Sequence, residues 1–278
     1  MHKSASVVIC TYNDPIEMVE QCLSSLLKNA LFNEIIIIDS STDDSIKNIC
    51  TKINHGNIVY CSSPPRGLSF ARNEGLKYAQ NEYVAFTDPD CIVDKDWLKN
   101  LYDIFQKYDA AIAGGRVLPK WLAEPPSVFK KSRLAWNVYS LVNQGTKIRE
   151  VKKIVGANFM VRKSRLNDIG YFSTSIGRIK GTLLGGEETD LCERAARCGF
   201  KVFYTPDAVV WHQVPQERLT YKWMFKRAAD GGRSRAMRGG IPEPYKTKYS
   251  IYDIVFLIIT FLPYLHGFIW GKIYGTRK

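Results

Sequence analysis

Two aspartates separated by one residue, Asp88 and Asp90, follow directly on the apolar run at residues 83–87. If a strand breaks there, both carboxylates can turn toward one point. Pro89 favours the break, because it cannot continue a ladder. Two hard carboxylate oxygens suit Mg2+ or Mn2+, which keep open positions for phosphate oxygens. A D-x-D is also a common polar turn, so its company decides its meaning. Arg72 lies shortly upstream in a stretch rich in small residues, where a guanidinium can pair with a phosphate or brace the aspartates. Two further polar clusters, Thr11-Tyr12-Asn13 and Asp39-Ser40-Ser41-Thr42-Asp43, also follow short apolar runs.

These clusters need a frame. Apolar runs at 6–10, 34–39, 58–60, 83–87 and 110–114 alternate with amphipathic stretches at 15–28, 42–53, 68–79 and 96–108. Strands alternating with helices predict an open α/β sheet, with ligand groups gathered at the carboxyl ends of its strands. The pattern breaks up between 116 and 151, where Pro119, Pro125 and Pro126 punctuate a loop and a helix is expected around 131–144. Strands at 159–162, 200–204 and 208–211, a helix at 187–198 and a basic helix at 219–237 complete the reading.

Hydrophobic residues at 45% and charged residues at 24% describe a chain that buries a sizeable core, which excludes a disordered protein. The net charge of +12 faces something negative: phosphate-bearing substrates, nucleic acid or an anionic membrane. Much of it is local, since residues 216–249 hold nine basic against three acidic side chains. Seven scattered cysteines, with no C-x-x-C, argue against a disulfide framework or zinc cluster and for a reducing compartment. No secretory signal opens the chain. Near its end, residues 254–271 contain no Asp, Glu, Lys or Arg, and lie between Lys246 and Lys248 before and Lys272, Arg277 and Lys278 after. That length is borderline for a span. A re-entrant, interfacial or partner-packed helix, a true span and a buried core helix all remain open.

Read together, Val8-Ile9-Cys10-Thr11-Tyr12-Asn13, Ile38-Asp39-Ser40-Ser41-Thr42-Asp43, Ala71-Arg72-Asn73-Glu74-Gly75 and Asp88-Pro89-Asp90 resemble the family 2 glycosyltransferases of GT-A fold. The resemblance covers about residues 5–235. It implies a single Rossmann-like, mostly parallel sheet with flanking helices. It also implies a metal-dependent, inverting transfer of sugar from a nucleoside-diphosphate donor, UDP-sugar favoured. By the same resemblance, Thr11 and Tyr12 line the nucleotide pocket, with Asn13 beside them, and Asp39 accepts from the base. Arg72 and Asn73 support the nucleotide and donor. Asp88 reaches ribose, or the metal through water, and Asp90 ligates Mn2+ or Mg2+. Ser40 and Ser41 stand where the family often has Asp and Gly, so base recognition is expected to differ.

The resemblance continues downstream. Gly156-Ala157-Asn158 resembles the acceptor-side segment, and Gly185-Gly186-Glu187-Glu188-Thr189-Asp190-Leu191 the segment that opens the catalytic helix. The catalytic base falls on Glu188, with Glu187 and Asp190 as contenders; a helix N-terminus favours ionised carboxylates there. His212 matches the histidine that completes the metal set. Arg227, Gly231, Gly232, Arg233 and Arg235 resemble a basic region of membrane-associated members, where residues such as Arg227 and Arg233 would meet the donor diphosphate, a lipid-linked phosphate on the acceptor, or anionic lipid. The expected division is a catalytic domain at 1–235, with a nucleotide half to about 115, and a membrane-associating segment at 236–278. The expected partners are a nucleotide-sugar, a glycan or polyprenyl-lipid-linked acceptor and an anionic membrane surface, not nucleic acid. The expected place is the cytoplasmic face of the cell membrane. Two rivals are a sugar nucleotidyltransferase, against which stands the lack of a Gly-rich loop in Thr11-Tyr12-Asn13-Asp14-Pro15 after the first strand, and a non-catalytic basic membrane protein, which would not need Asp88, Asp90, Glu188 and His212 together.

Overall fold

The run Ile35-Ile36-Ile37-Ile38 is buried without interruption, which a strand with one wet face never is. It belongs to β2 (Phe32–Asp39). Ile35 and Ile37 enter one hydrophobic cluster and Ile36 and Ile38 another, so helices cover both faces of the sheet. The computed structural model describes residues 4–29, 31–179, 182–239 and 249–274; the basic residues Lys246, Lys248, Arg277 and Lys278 lie outside them. β2 lies between β1 (Ala5–Thr11) and β3 (Ile58–Ser62), and β4 (Tyr83–Thr87) flanks β1, all parallel. α1 (Ile16–Leu26) and α2 (Ser45–Ile53) pack on one face, and α3 (Leu68–Tyr78) on the other. After β4 come β5 (Cys91–Val93), α4 (Trp97–Lys107) and β6 (Ala110–Trp121). Then follow α5 (Ser127–Lys131), α6 (Arg133–Val138), β7 (Arg149–Glu150), β8 (Asn158–Arg162), α7 (Leu166–Ile169), α8 (Glu187–Arg197), β9 (Lys201–Val214), α9 (Tyr221–Met237) and α10 (Ile251–Tyr274).

Among the described residues the sheet has nine strands in the order β3-β2-β1-β4-β8-β6-β9-β5, with β7 also on β9. β8 runs antiparallel between β4 and β6, so the sheet is parallel in its first half and mixed in its second. Three expectations are corrected. The strand expected at 110–114 continues to Trp121 through Pro119. Val117 turns its N–H and C=O toward Val142, so Pro119, two residues on, also points its nitrogen away from β9 and breaks no ladder bond. The strands expected at 200–204 and 208–211 are one strand, β9, whose register against β6 shifts between Gly115 and Arg116. The helix expected at 131–144 is two short ones. Ser132 is extended between them and its side chain caps α6, while Asp253 of α10 accepts from the Ser132 hydroxyl at 2.8 Å.

α10 is 24 residues long and, among the described residues, the one helix long and apolar enough to cross a membrane. It is not a core helix: Ile258 and Leu262 are each 72% exposed. Its inner face carries Phe256, Thr260, Gly267 and Gly271 and lies on α9. The contact is backbone to backbone. A Cβ on Gly267 would stand 1.8 Å from the Ala229 carbonyl oxygen, and one on Gly232 would stand 2.1 Å from that of Tyr264. Small residues four apart permit this approach, as in closely packed membrane helices.

Gly267→Leu should therefore push α10 off α9 and destabilise the protein by about 1–3 kcal/mol, the usual range for overpacking. Gly231→Ala in α9 meets open space and should be neutral or stabilising by up to about 1 kcal/mol. Urea unfolding of the two variants beside the parent checks both.

Candidate functional site

The strand ends do converge. Asp88 closes β4 and begins a turn in which the Cys91 N–H donates to the Asp88 carbonyl at 3.1 Å, with Pro89 at the second position, where its fixed φ suits a turn. β5 leaves this turn and pairs antiparallel with β9, Cys91 opposite His212. That register sets Asp90 beside a histidine 122 residues away: Asp90 Oδ2 lies 3.1 Å from His212 Nε2. His212 Nδ1–H donates to the Tyr139 carbonyl at 2.8 Å, and Arg218 donates to Asp90 Oδ2 at 3.0 Å. Burial alone would push Asp90 up, but His212 and Arg218 outweigh it and hold the carboxyl well below the usual range. Burial works against charge on His212 too, and Asp90 overcomes it, raising the imidazole.

The Asp88–Asp90 pair is divided. Asp88 faces Arg72 instead, Oδ1 to Nη2 at 3.8 Å, and burial raises its carboxyl against the pull of Arg72. Arg72 is the centre of a second cluster. Its guanidinium is 2% exposed and lies 2.7 Å from Glu188 Oε1 and 3.4 Å from Glu187 Oε1, with the rings of Phe159 and Phe172 over it at 5.6 and 5.5 Å. Burial would weaken its hold on the proton, but Glu188, Glu187 and Asp88 more than restore it. Gly156 makes the room. A Cβ there would stand 1.8 Å from Glu188 Oε1 and 2.6 Å from Arg72 Nη2. Glu187 and Glu188 open α8, where the helix dipole favours charge, yet Glu187 departs from that expectation. Burial and the neighbouring Glu188 push it up to about 7, and among the described residues its Oε2 has no hydrogen-bond partner.

Both clusters line one cleft of about 610 Å³, together with Thr11, Tyr12, Gly156, Ala157 and Arg227. Other residues singled out from the sequence do not line it. Asn13 accepts from the Thr42 N–H at 2.9 Å and pins two loops together. Asp39 accepts from the Ser41 N–H and the Tyr60 hydroxyl, each at 2.9 Å. Asn73 exchanges two hydrogen bonds with the Phe172 backbone. Asn158 is fully buried, accepting from Trp97 Nε1 and donating to the carbonyls of Arg116 and Ala208. Asp190 pairs with Arg194 at 2.8 Å, and Arg233 stacks on Trp270 with its guanidinium 3.8 Å from the ring centre.

The structure also brings in residues the sequence did not mark. Asp14 lines the cleft and accepts from the Tyr12 N–H and the Thr11 hydroxyl, each at 3.0 Å; burial pushes it up to about 6. Its only signal was its place directly after Thr11-Tyr12-Asn13. Arg218 was visible only as one of a crowd of cations, and Arg178, also in the cleft wall, had no signal at all.

Asp90 and His212 are a suitable start for a divalent cation site. Carboxylate and imidazole are donors for Mn2+, and a ligating histidine commonly donates its other N–H to a carbonyl, as His212 does to Tyr139. No third acid, cysteine or histidine completes a cluster with them among the described residues.

Comparison with known proteins gives the same direction. The family model "Glycosyl transferase family 2" matches residues 6–170. A glucosyl-dolichyl phosphate glucuronosyltransferase of Haloferax volcanii is 26% identical over 83% of this chain and 75% of its own length. The succinoglycan biosynthesis protein ExoM of Rhizobium meliloti is 25% identical over 81% and 72%. A poly-beta-1,6-N-acetyl-D-glucosamine synthase of Staphylococcus aureus is 26% identical, and this chain spans 59% of its length. Among solved structures, GalNAc-T7 with UDP, GalNAc and Mn2+ superposes with a TM-score of 0.62 at 16% identity, covering 98% of this chain and 56% of that one. The shared architecture is the GT-A fold.

The raised Glu187 carboxyl predicts a pH effect. An acid whose folded pKa lies above its unfolded value favours folding while it stays protonated, and this contribution is lost as pH rises through the folded value. The stability of Glu187→Gln relative to the parent should therefore grow in the variant's favour from about pH 5 and level off above about pH 7. Urea unfolding of both proteins at a series of pH values measures the difference.

Proposed function

We propose that this chain, which belongs to glycosyl transferase family 2, moves a sugar with inversion from a nucleoside-diphosphate donor to a hydroxyl of a glycan or lipid-linked acceptor. The observation that carries the reading is the meeting of two clusters in one cleft: Asp90 with His212, and Arg72 with Glu188. The first suits a diphosphate and the second an acceptor hydroxyl.

In this reading Thr11 and Tyr12 line the nucleotide pocket, and Asp39 accepts from the base. Asn13 and Asn73 hold that pocket's walls together. Asp90 and His212 hold Mn2+ or Mg2+, with Asp88 reaching ribose or the ion through water. A bound ion supplies positive charge for the departing diphosphate. Arg72, buried and fixed by three carboxylates, orients Glu188 through its Oε1. Glu188 accepts the proton of the acceptor hydroxyl as its oxygen attacks the anomeric carbon. Gly156 and Ala157 border the acceptor, and Arg227 lies in reach of a phosphate upon it. A UDP donor and Mn2+ are favoured by the ligands of the GalNAc-T7 crystal, and a lipid-linked acceptor by the name of the Haloferax relative. The catalytic domain is taken as 1–235 and the membrane-associating segment as 236–278, at the cytoplasmic face of the membrane.

A panel of UDP-, GDP- and dTDP-sugars with Mn2+ or Mg2+, read as nucleotide release, should show metal-dependent turnover that is highest with a UDP-sugar. Glu188→Gln should lower kcat by about 10²–10⁴-fold, the usual worth of a general base. Substantial transfer by a folded Glu188→Gln protein would exclude Glu188 as the base. Asp90→Asn and His212→Ala should each raise the Mn2+ concentration required by at least about tenfold.

A further inference from the structure

We propose that α10 lies in the plane of an anionic lipid surface, its outer face in the bilayer and its inner face still on the catalytic domain, and does not cross the membrane. The inference rests on the reading of a membrane-associated enzyme and settles how it is held. The helix has two opposed faces. Asp253, Phe256, Thr260, Gly267 and Gly271 are buried, from the first turn to the last. Ile254, Ile258, Phe261, Leu262, Ile269 and Ile273 recur on the other side, each at least 45% exposed. Covered protein therefore runs along one whole side of the helix.

That cover is what excludes a span. α9 holds α10 by backbone contact at Gly232, Gly267 and Gly271. α9 is itself fastened to the active-site loop: the Leu183 N–H donates to Asp230 at 2.7 Å, Arg227 donates to the Leu183 carbonyl at 2.7 Å, and the Gly185 N–H donates to Ser234 at 3.1 Å. The first turn of α10 is fixed through Asp253, which accepts from Ser132 and from the Leu134 N–H. A helix of 24 residues is about 36 Å long, enough to span. Upright, however, it would carry α9, with its arginines and Asp230, into hydrocarbon, where each charge is expensive. Lying flat costs nothing of the kind.

Charge identifies the occupant. Exposed Lys131, which donates to the Tyr252 hydroxyl at 3.1 Å, and exposed Lys272 stand beside and on the helix, and its one acid, Asp253, is buried and satisfied. With a net charge of +12 on the chain, an apolar stripe rimmed by lysines fits an interface of acyl chains under anionic headgroups. Lys226 and Arg227, on α9, also line the cleft. In this pose α9 lies between the cleft, which it helps to wall, and the lipid-facing helix.

The test uses the full chain with Cys10, Cys61 and Cys198, the thiols that are not buried, changed to alanine. A spin label is placed in turn at Ile254→Cys, Leu262→Cys and Ile273→Cys. Depth is measured by paramagnetic collision on vesicles of phosphatidylcholine with phosphatidylglycerol. A similar, shallow depth at all three positions is the expected result. A deep Leu262 label with shallow ends means a span and overturns the proposal. So does spin–spin contact between labels without lipid, which means a second copy covers the face, and so does a failure to bind vesicles. Ile258→Asp with Leu262→Asp should weaken vesicle binding on the order of tenfold or more. Nucleotide release in the absence of vesicles reads the glycosyltransferase assignment separately, so the two can fail independently.

Discussion

One guanidinium sits where four parts of the chain meet. Arg72 comes from α3, Asp88 from the end of β4, Glu187 and Glu188 from the start of α8, and Gly156 from the turn before β8. Three acids around one buried cation form a single electrostatic unit. Removing the cation leaves buried like charges, and removing the acids leaves a buried cation without partners; each is far more costly than any surface pair. The excess of negative charge is relieved in part by the proton on Glu187, which burial and Glu188 favour up to about pH 7. The fold thus ties the geometry of this side of the cleft to its electrostatic balance. The elements cannot separate without exposing an uncompensated charge.

The second cluster depends on register. Asp90 and His212 meet because β5 pairs with β9 one residue beyond Asp90. A slip of one position would turn His212 to the opposite face of the sheet. Behind His212 stands Tyr139. Its carbonyl takes the Nδ1 proton, its hydroxyl donates to the Arg218 carbonyl at 3.0 Å, and its ring stacks on Trp223 of α9 at 5.3 Å. A residue at the end of a short helix thereby touches both neighbours of Asp90 and the helix that carries α10.

Much of this was legible in the sequence, and the reasons are physical. β1, β2 and β4 announce themselves as unbroken apolar runs ended by polar clusters, because strands covered on both faces have no wet positions to betray their period. Asp90, Arg72, Glu188 and His212, which the structure brings to one cleft, stood out because the motifs around them resemble those of the family. The rest was hidden by tertiary context. Pro119 reads as a strand breaker, yet its nitrogen faces the side where β6 needs no bond. Ser132 reads as one more residue of a helix, until Asp253, 121 residues away, takes its hydroxyl and makes it a cap. Asn158 has the company of an acceptor-binding segment but spends its amide on Trp97, Arg116 and Ala208. Local sequence shows which groups stand near the cleft, not which way their hydrogen bonds run.

The contact between Tyr139 and His212 has one further consequence. A carbonyl can only accept, so the ring keeps its proton on Nδ1, and in the neutral imidazole the lone pair is confined to Nε2, facing Asp90. The tautomer is chosen by α6, and α6 is capped by a serine that the C-terminal helix holds. Which nitrogen of His212 stands open to a ligand is thus decided in part by a helix that never enters the cleft.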